Sequence, residues 1–250
     1  MSLINKIHFR YYLGVAIHQA SCKVASYAGG LTERIFFSSQ GNIRYFSNQK
    51  NSKPTLVFLH GFNGNKEVWL GTAFYLRNAG GILIPDLLGH GASDNPMNGD
   101  YSAEAHASVI YELLKAEEIS SFYLVGSSMG CAVAAILMIR YGSKNIGSIF
   151  INPFGITSEQ IRSIRHFRKG TASPFYVKDI DDYDDFLKSV VYRPLLILSW
   201  SKHYFALNHI RRNEHIGIMF DALLANVEFY QILRNSLCLW WFSQAQETQS

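Results

Sequence analysis

The sequence predicts an α/β protein built on a mostly parallel sheet with covering helices. Short runs of continuously apolar residues, such as 54–59 and 81–86, are typical of strands buried on both faces. Stretches of helical spacing alternate with these runs over the first 150 residues or so. Strands and helices that alternate in this way form parallel sheets with right-handed crossovers.

Composition excludes several classes of protein. With 250 residues, 48% of them hydrophobic and only 17% charged, the chain can form a substantial core and is not disordered. The net charge of +4 comes from scattered Lys and Arg residues without a nucleic-acid-binding motif, so we expect no nucleic-acid partner. Three widely spaced cysteines predict neither a disulfide framework nor a zinc site, which favours a reducing, cytoplasmic location.

The first elements follow from apolar spacing and turn residues. The apolar run 11–17 is stopped by His18 and Gln19, which indicates an amphipathic helix and not a signal peptide or a membrane span. Residues 34–38 and 42–46 predict a β-hairpin, and 54–59 predict a buried strand. A helix is expected over 66–78, preceded by Asn65 as a possible N-cap, with an inward stripe of Val68, Trp69, Ala73 and Leu76.

The next elements repeat the strand and helix pattern. After the strand 81–86 comes a glycine-rich turn, in which we interpret Asp86 as organising the loop and His90 as a surface residue. Ser102 is expected to cap a helix that runs to about residue 118. Strands are predicted before Ser128 and again over 145–152, the latter as a buried strand.

The pattern changes after residue 155 and predicts a helical cap. Helical spacing recurs there (158–168, 179–192 and 214–235), with an ambiguous run over 194–200. We therefore predict three parts: a core over 1–155, a cap over 156–235, and the start of the next core strand over 236–250. The cap aromatics either line an apolar pocket or pack between helices: Phe175, Phe186, Trp200, Tyr204, Phe205 and Phe220.

The motif that carries chemistry is Gly126-Ser127-Ser128-Met129-Gly130, where a predicted strand meets a helix. A Gly-x-Ser-x-Gly turn at this junction, a nucleophile elbow, forces the central serine into a strained conformation and exposes its hydroxyl. The Met129 amide then lies at a helix N-terminus, which favours a nearby negative charge. Further back, His60-Gly61-Phe62 follows a strand, and Gly61 allows a tight turn that aims the Phe62 amide toward Ser128.

These motifs, in this order, resemble the α/β-hydrolase superfamily. The resemblance rests on the hairpin, on His60-Gly61-Phe62, on the turn that begins at Asp86, and on the segment Gly126–Gly130. The chain is most similar to monoacylglycerol-lipase-type acyl hydrolases. The resemblance implies a serine esterase for lipophilic carboxylic esters, with Ser128 as nucleophile, the amides of Phe62 and Met129 as an oxyanion hole, and His60, Gly61, Gly126 and Gly130 as supporting residues.

The resemblance also implies a catalytic acid and a histidine after the cap, and the sequence places neither there. We therefore expect a C-terminus that is truncated relative to the family, which leaves the activity of this chain an open question. The acidic run 179–185 and the cap histidines (His166, His203, His209 and His215) could supply substitutes, but solvated helix faces explain them more simply.

Two alternatives to the esterase remain open. One is a non-catalytic fragment or pseudo-enzyme that binds a ligand or partner; the other is a hydrolase of carbon–carbon bonds, which would use the same serine. No metal or cofactor is expected for any of the three. A lipophilic ester is the expected small-molecule partner, and peripheral contact with a membrane is the further expectation; the sequence does not determine the oligomeric state.

Overall fold

The computed structural model describes residues 3–48, 54–154, 175–190 and 199–225. Six strands form its sheet: β1 (Thr32–Ser38), β2 (Gly41–Ser47), β3 (Thr55–Leu59), β4 (Gly81–Pro85), β5 (Phe122–Ser127) and β6 (Asn145–Ile151). The helices are α1 (Leu3–Ala28), α2 (Leu70–Leu76), α3 (Ala103–Ala116), α4 (Met129–Tyr141), α5 (Ile180–Val190), α6 (Ser199–Arg211) and α7 (Asn213–Ala225). Short 3₁₀ helices cover Lys66–Trp69 and Gly142–Lys144.

The strand order is β1-β2-β4-β3-β5-β6. The hairpin β1–β2 is antiparallel and joins β4 in antiparallel fashion, whereas β4, β3, β5 and β6 are mutually parallel. The predicted mostly parallel sheet is therefore confirmed. Because β3 and β5 are neighbours, the loops that follow their carboxyl ends lie side by side, and these loops contain Gly61 and Ser128.

The core lies on both faces of the sheet. On one face, helices α3 and α4 bury their apolar side chains against β3 and β5, among them Leu113, Val133 and Leu137. On the other face, Phe58, Trp69 and Ile82 form a second cluster beneath α2 and α1. The cap on α3 is as predicted, because the Ser102 hydroxyl accepts a hydrogen bond from the Ala105 amide.

Several expectations about the helix over 66–78 are wrong in detail. The segment begins as a 3₁₀ turn, continues as α2 and ends at Leu76, and Asn65 forms no side-chain cap. In the tighter 3₁₀ turn, side chains no longer follow the 3.6-residue spacing. Val68 is consequently 61% exposed, although the stripe predicted it to point inward.

Strand β6 is not the buried strand that its apolar run predicts. Its side chains alternate between half-buried and exposed, and Ile146, Ile149 and Ile151 face outward. Among the described strands β6 is the last on its side of the sheet, with a neighbour only at β5. Within the part of the chain the structure describes, nothing covers this outward face.

Helices α5, α6 and α7 follow the sheet in the chain and pack on one another. Of the helices expected after residue 155, the structure contains α5 and α7, and the segment 158–168 lies outside the described residues. The end of the ambiguous run 194–200 begins α6, and its earlier residues are likewise not described. The predicted boundaries of core, cap and terminal segment stay predictions.

Candidate active site

The turn at Ser128 joins β5 directly to α4. Ser128 has φ 51° and ψ −115°, a conformation that costs a non-glycine residue on the order of 1–3 kcal/mol. The turn is held by the Ser128 amide, which donates to the Ile151 carbonyl at 3.0 Å, and by the Cys131 amide, which donates to the Ser128 carbonyl at 3.0 Å. The backbone geometry is therefore the strained strand-to-helix turn that the motif predicts.

Glycine is required at both ends of this motif because the helix and the strands cross closely. A Cβ on Gly126 would lie 2.6 Å from the carbonyl oxygen of Gly130. A Cβ on Gly130 would lie 2.3 Å from the carbonyl oxygen of Leu59 at the end of β3. Both contacts are with backbone, which cannot move aside as a flexible side chain can, so any larger residue would displace α4.

The loop after β3 lies against the same serine. A Cβ on Gly61 would lie 3.1 Å from the Ser128 Cβ and 3.8 Å from its Oγ. Neither the Phe62 amide nor the Met129 amide donates a hydrogen bond to another described residue. Amide donors directed at a reacting oxygen stabilise an oxyanion, which is the role that the resemblance implies for these two amides.

Asp86 organises the neighbouring loop, as the sequence analysis interprets it. Its carboxylate is fully buried and accepts hydrogen bonds from the amides of Lys66 and Ala92 and from the Lys66 ammonium, which lies 2.8 Å away. Burial lowers the pKa of Lys66, but the Asp86 carboxylate, with Glu67 and Glu33, outweighs burial and raises that pKa above its ordinary value. The ion pair ties the loop after β4 to the segment before α2.

His90 is not the surface residue that its place in a glycine-rich turn predicts. It is 1% exposed, and its ring lies between His60 and His106, with centroid distances of 5.2 and 6.0 Å. Position in a glycine-rich turn suggested exposure, but Gly89 and Gly91, both with positive φ, fold the turn back over the sheet edge. His106 comes from α3 and had no motif that could have singled it out.

Burial keeps all three histidines neutral. It lowers the pKa of His60 to about 4, and those of His90 and His106 to about 3. His60 is fixed in one tautomer: its Nδ1 donates to the Gly61 carbonyl, and its Nε2 accepts from the Leu87 amide. His60 therefore supports the loop and offers no nitrogen to Ser128.

The predicted aromatic pocket residues divide into two groups. Phe175 and Phe220 pack on Phe62, with ring centroids 4.7 and 5.7 Å from it, and so lie beside the loop that contains the Phe62 amide. Tyr204 and Phe205 pack instead against His18 of α1. Phe186 contacts the rings of Phe175 and His209, and the Trp200 side chain is not described.

The histidines of the helices after the sheet make other contacts. His209 donates from Nε2 to the Phe175 carbonyl at 2.6 Å, and His215 donates from Nε2 to the Gly89 carbonyl at 3.0 Å. Over residues 3–48, 54–154, 175–190 and 199–225, no side chain forms a hydrogen bond with the Ser128 hydroxyl. His166 lies outside the described residues, and His203 makes a contact of its own.

No metal site is apparent in the described part of the chain, since no three residues of the types His, Cys, Asp or Glu are grouped closely enough to hold an ion. None of its helices is long and apolar enough to span a bilayer.

The fold and the turn at Ser128 define the class of protein. The family model described as alpha/beta hydrolase fold matches residues 54–186, more than half of the chain. The chain therefore belongs to the alpha/beta hydrolase family, and the resemblance inferred from its motifs is confirmed.

Individual relatives are lipases by name. Lipase 1 of Psychrobacter immobilis is 30% identical over 187 residues, which are 74% of this chain and 58% of that protein. A monoacylglycerol lipase of Homo sapiens is 26% identical over 113 residues, 44% of this chain and 34% of the human protein. The crystal structure of a membrane phospholipase A, described as a bacterial virulence factor, superposes with a TM-score of 0.77 at 22% identity, covering 85% of this chain and 68% of the other. The chain thus spans less than two thirds of the curated relatives it matches.

Proposed function

We propose that this protein is a serine hydrolase of lipophilic carboxylic esters, with Ser128 as the nucleophile. The observation that carries the proposal is the strained turn at Ser128 next to Gly61, in a region where neither the Phe62 amide nor the Met129 amide has a hydrogen-bond partner among the described residues. The hydroxyl would attack the ester carbonyl and the two amides would stabilise the oxyanion. Collapse of this tetrahedral intermediate would release the alcohol, which takes up the serine proton, and leave an acyl-enzyme, which water would then hydrolyse to the acid.

The preference for a lipophilic acyl group rests on the side chains around the serine. The rings of Phe62, Phe175 and Phe220 form one aromatic cluster next to the proposed oxyanion loop. Such a wall gives affinity for hydrocarbon and little for charged groups. Relatives named as lipases and monoacylglycerol lipase support the same substrate class.

Deprotonation of Ser128 requires a base. In the described residues the Ser128 hydroxyl has no histidine or carboxylate at hydrogen-bond distance. A serine enzyme without its base loses on the order of 10⁴-fold or more in turnover. The alternative of a non-catalytic binding protein therefore stands beside the esterase, and one experiment distinguishes them.

The test is covalent labelling of the purified chain with a fluorophosphonate, together with turnover of medium-chain p-nitrophenyl esters. We expect labelling that Ser128→Ala abolishes and that Ser120→Ala, an exposed serine before β5, leaves unchanged. Mass spectrometry should place the adduct on the peptide that contains Ser128. Absence of both labelling and turnover in the folded chain would remove the esterase and favour the non-catalytic protein.

We further propose that the outer face of α1 contacts the surface of anionic membranes. This face has a run of exposed residues at helical spacing, with aromatic rings toward both ends: Phe9, Tyr12, Ala16, Ala20, Lys23 and Tyr27. The whole helix contains basic residues (Lys6, Arg10 and Lys23) and no Asp or Glu. An acid-free helix with exposed aromatics suits the interface of an anionic bilayer.

Vesicle sedimentation tests the membrane contact. We expect binding to phosphatidylcholine vesicles to increase when phosphatidylglycerol is added, and the double variant Tyr12→Ser/Tyr27→Ser to bind about tenfold more weakly. Phe37→Ser removes an equally exposed ring from the hairpin and should leave binding unchanged. Equal sedimentation of the double variant and the parent would contradict the proposal.

A further inference from the structure

We propose that His209 of α6 is a positioning residue that couples the helices after the sheet to the loop of the Phe62 amide, and that protonation of His209 releases this loop. The proposal rests on the proposed function, because the Phe62 amide is there an oxyanion donor. The structural part, that His209 holds the loop, can be tested without any catalysis.

The contact is made by one imidazole with two partners. The Nε2 of His209 donates to the Phe175 carbonyl at 2.6 Å, so in the neutral ring the proton lies on Nε2. The Nδ1 of His209 is then an acceptor, and the side-chain amide of Asn63 donates to it at 3.4 Å. A neutral His209 thus forms one hydrogen bond with the segment before α5 and one with the loop after β3.

Asn63 is bonded directly to Phe62, whose amide is the proposed oxyanion donor. It follows Phe62 in the chain and has φ 53°, in the left-handed region. The same turn is closed by the Gly64 amide, which donates to the Gly61 carbonyl at 3.0 Å. A side chain that holds Asn63 therefore also restricts the direction of the Phe62 amide.

Protonation of His209 turns its Nδ1 from a hydrogen-bond acceptor into a donor. An imidazolium donates from both nitrogens, so Nδ1–H would then face the donor –NH₂ of Asn63. The bond to the Phe175 carbonyl is kept and strengthened, whereas the bond that Asn63 donates is lost, and the Asn63 side chain has to turn its Oδ1 toward the ring or leave it. Acid is thus expected to release the loop while His209 stays attached to residue 175.

The surroundings of His209 keep it neutral at ordinary pH. Burial lowers the pKa of His209 below its usual value, the hydrogen bond to the Phe175 carbonyl opposes this, and the Arg212 guanidinium lowers it further. Among the described residues, the titratable and charged groups that face it are Tyr183 of α5, whose ring centroid is 5.9 Å away, and Arg212. No carboxylate among the described residues contributes to the pKa of His209, so release is expected at a pH below the ordinary histidine value of 6.5.

Other contacts hold the helices in place and remain in acid. Arg212 donates to the Gly89 carbonyl in the loop after β4 at 2.8 Å, and Asn213 joins α7 to the segment before α5 by donating to the Val177 carbonyl at 2.7 Å. Neither donor depends on a histidine. Loss of the His209–Asn63 bond should therefore free the loop locally and leave the helices in place.

Amide hydrogen exchange of the peptide covering residues 59–66 measures the release. After correction for the intrinsic pH dependence of exchange, we expect the parent chain to lose protection in this peptide between about pH 7.5 and about pH 5. His209→Gln keeps one donor and one acceptor but does not titrate, so its protection should be high at both values. His209→Phe makes neither bond and should be unprotected at both.

The control is His203→Gln, which removes another histidine of the same helix and should retain the parent's pH response. General acid destabilisation affects the parent and His209→Gln alike, so the difference between them isolates His209. If pH-dependent protection persists in His209→Gln, the proposal is overturned. It is also overturned if protection of the loop in the parent chain does not depend on pH. Because exchange needs no turnover, failure of the esterase proposal leaves this test valid.

Discussion

At the residue scale, the crossing of α4 over the sheet explains why the serine turn cannot accept larger residues. Gly130→Ala would place a Cβ 2.3 Å from the Leu59 carbonyl oxygen and 2.7 Å from that of His60. Relieving these contacts requires backbone shifts, so we expect the free energy of unfolding to fall by about 1–3 kcal/mol or more. Urea unfolding measures the change.

Gly142→Ala is the matched control for that substitution. Gly142 ends the same helix with an α-helical φ of −68°, and a Cβ there would meet nothing within 4 Å. Its free energy of unfolding should change by less than about 0.5 kcal/mol. If the two alanine substitutions changed the free energy of unfolding equally, α4 would not be in close contact with the end of β3.

At the element scale, the buried pair Lys66–Asp86 joins two loops at the carboxyl edge of the sheet. Lys66→Met would leave the fully buried Asp86 carboxylate without its cation. Breaking a buried pair from one side typically costs about 3–5 kcal/mol, because the remaining charge is uncompensated. We expect a loss of this size in urea unfolding.

A surface pair supplies the comparison. Lys188 and Asp185 are 2.7 Å apart on α5 but are 67% and 78% exposed. Lys188→Met should leave the free energy of unfolding nearly unchanged, because water solvates the remaining carboxylate. If Lys66→Met lowered the free energy of unfolding as little as Lys188→Met, Asp86 would have to be hydrated or protonated in the folded protein.

Periodicity predicted the elements better than their exposure. The hairpin, the parallel strands and the Ser102 cap follow from local spacing and turn chemistry, and all are present. Val68 and the outward residues of β6 were predicted as buried because they are apolar. An apolar side chain favours burial, but the local sequence does not show whether another element covers it. Exposure depends on neighbours distant in sequence, which spacing does not reveal.

At the scale of the whole molecule, the same limit applies to the candidate site. The elbow was predictable because Gly-x-Ser-x-Gly is a local signature between a strand and a helix. The stack of His60, His90 and His106 joins three separate segments, and the contact between Asn63 and His209 spans 146 residues. No window of sequence contains such groups, so only the folded chain brings them together.

That histidine stack makes stability depend on pH. Burial holds the folded pKa values of the three rings at about 4, 3 and 3, below the ordinary value of 6.5. Between about pH 6.5 and pH 4 the unfolded chain therefore binds protons that the folded chain does not, so stability falls as pH falls. At about pH 5 each ring should lower the free energy of unfolding by about 2 kcal/mol relative to neutral pH.

His106→Phe tests this dependence. Both ring nitrogens of His106 are buried without a partner among the described residues, so phenylalanine removes a proton site without breaking a described hydrogen bond. Urea unfolding measured from about pH 6 to about pH 4.5 should then depend less steeply on pH, by about 1.4 kcal/mol per pH unit. An unchanged slope would mean that His106 titrates equally in the folded and unfolded chains, and hence that water reaches it in the native state.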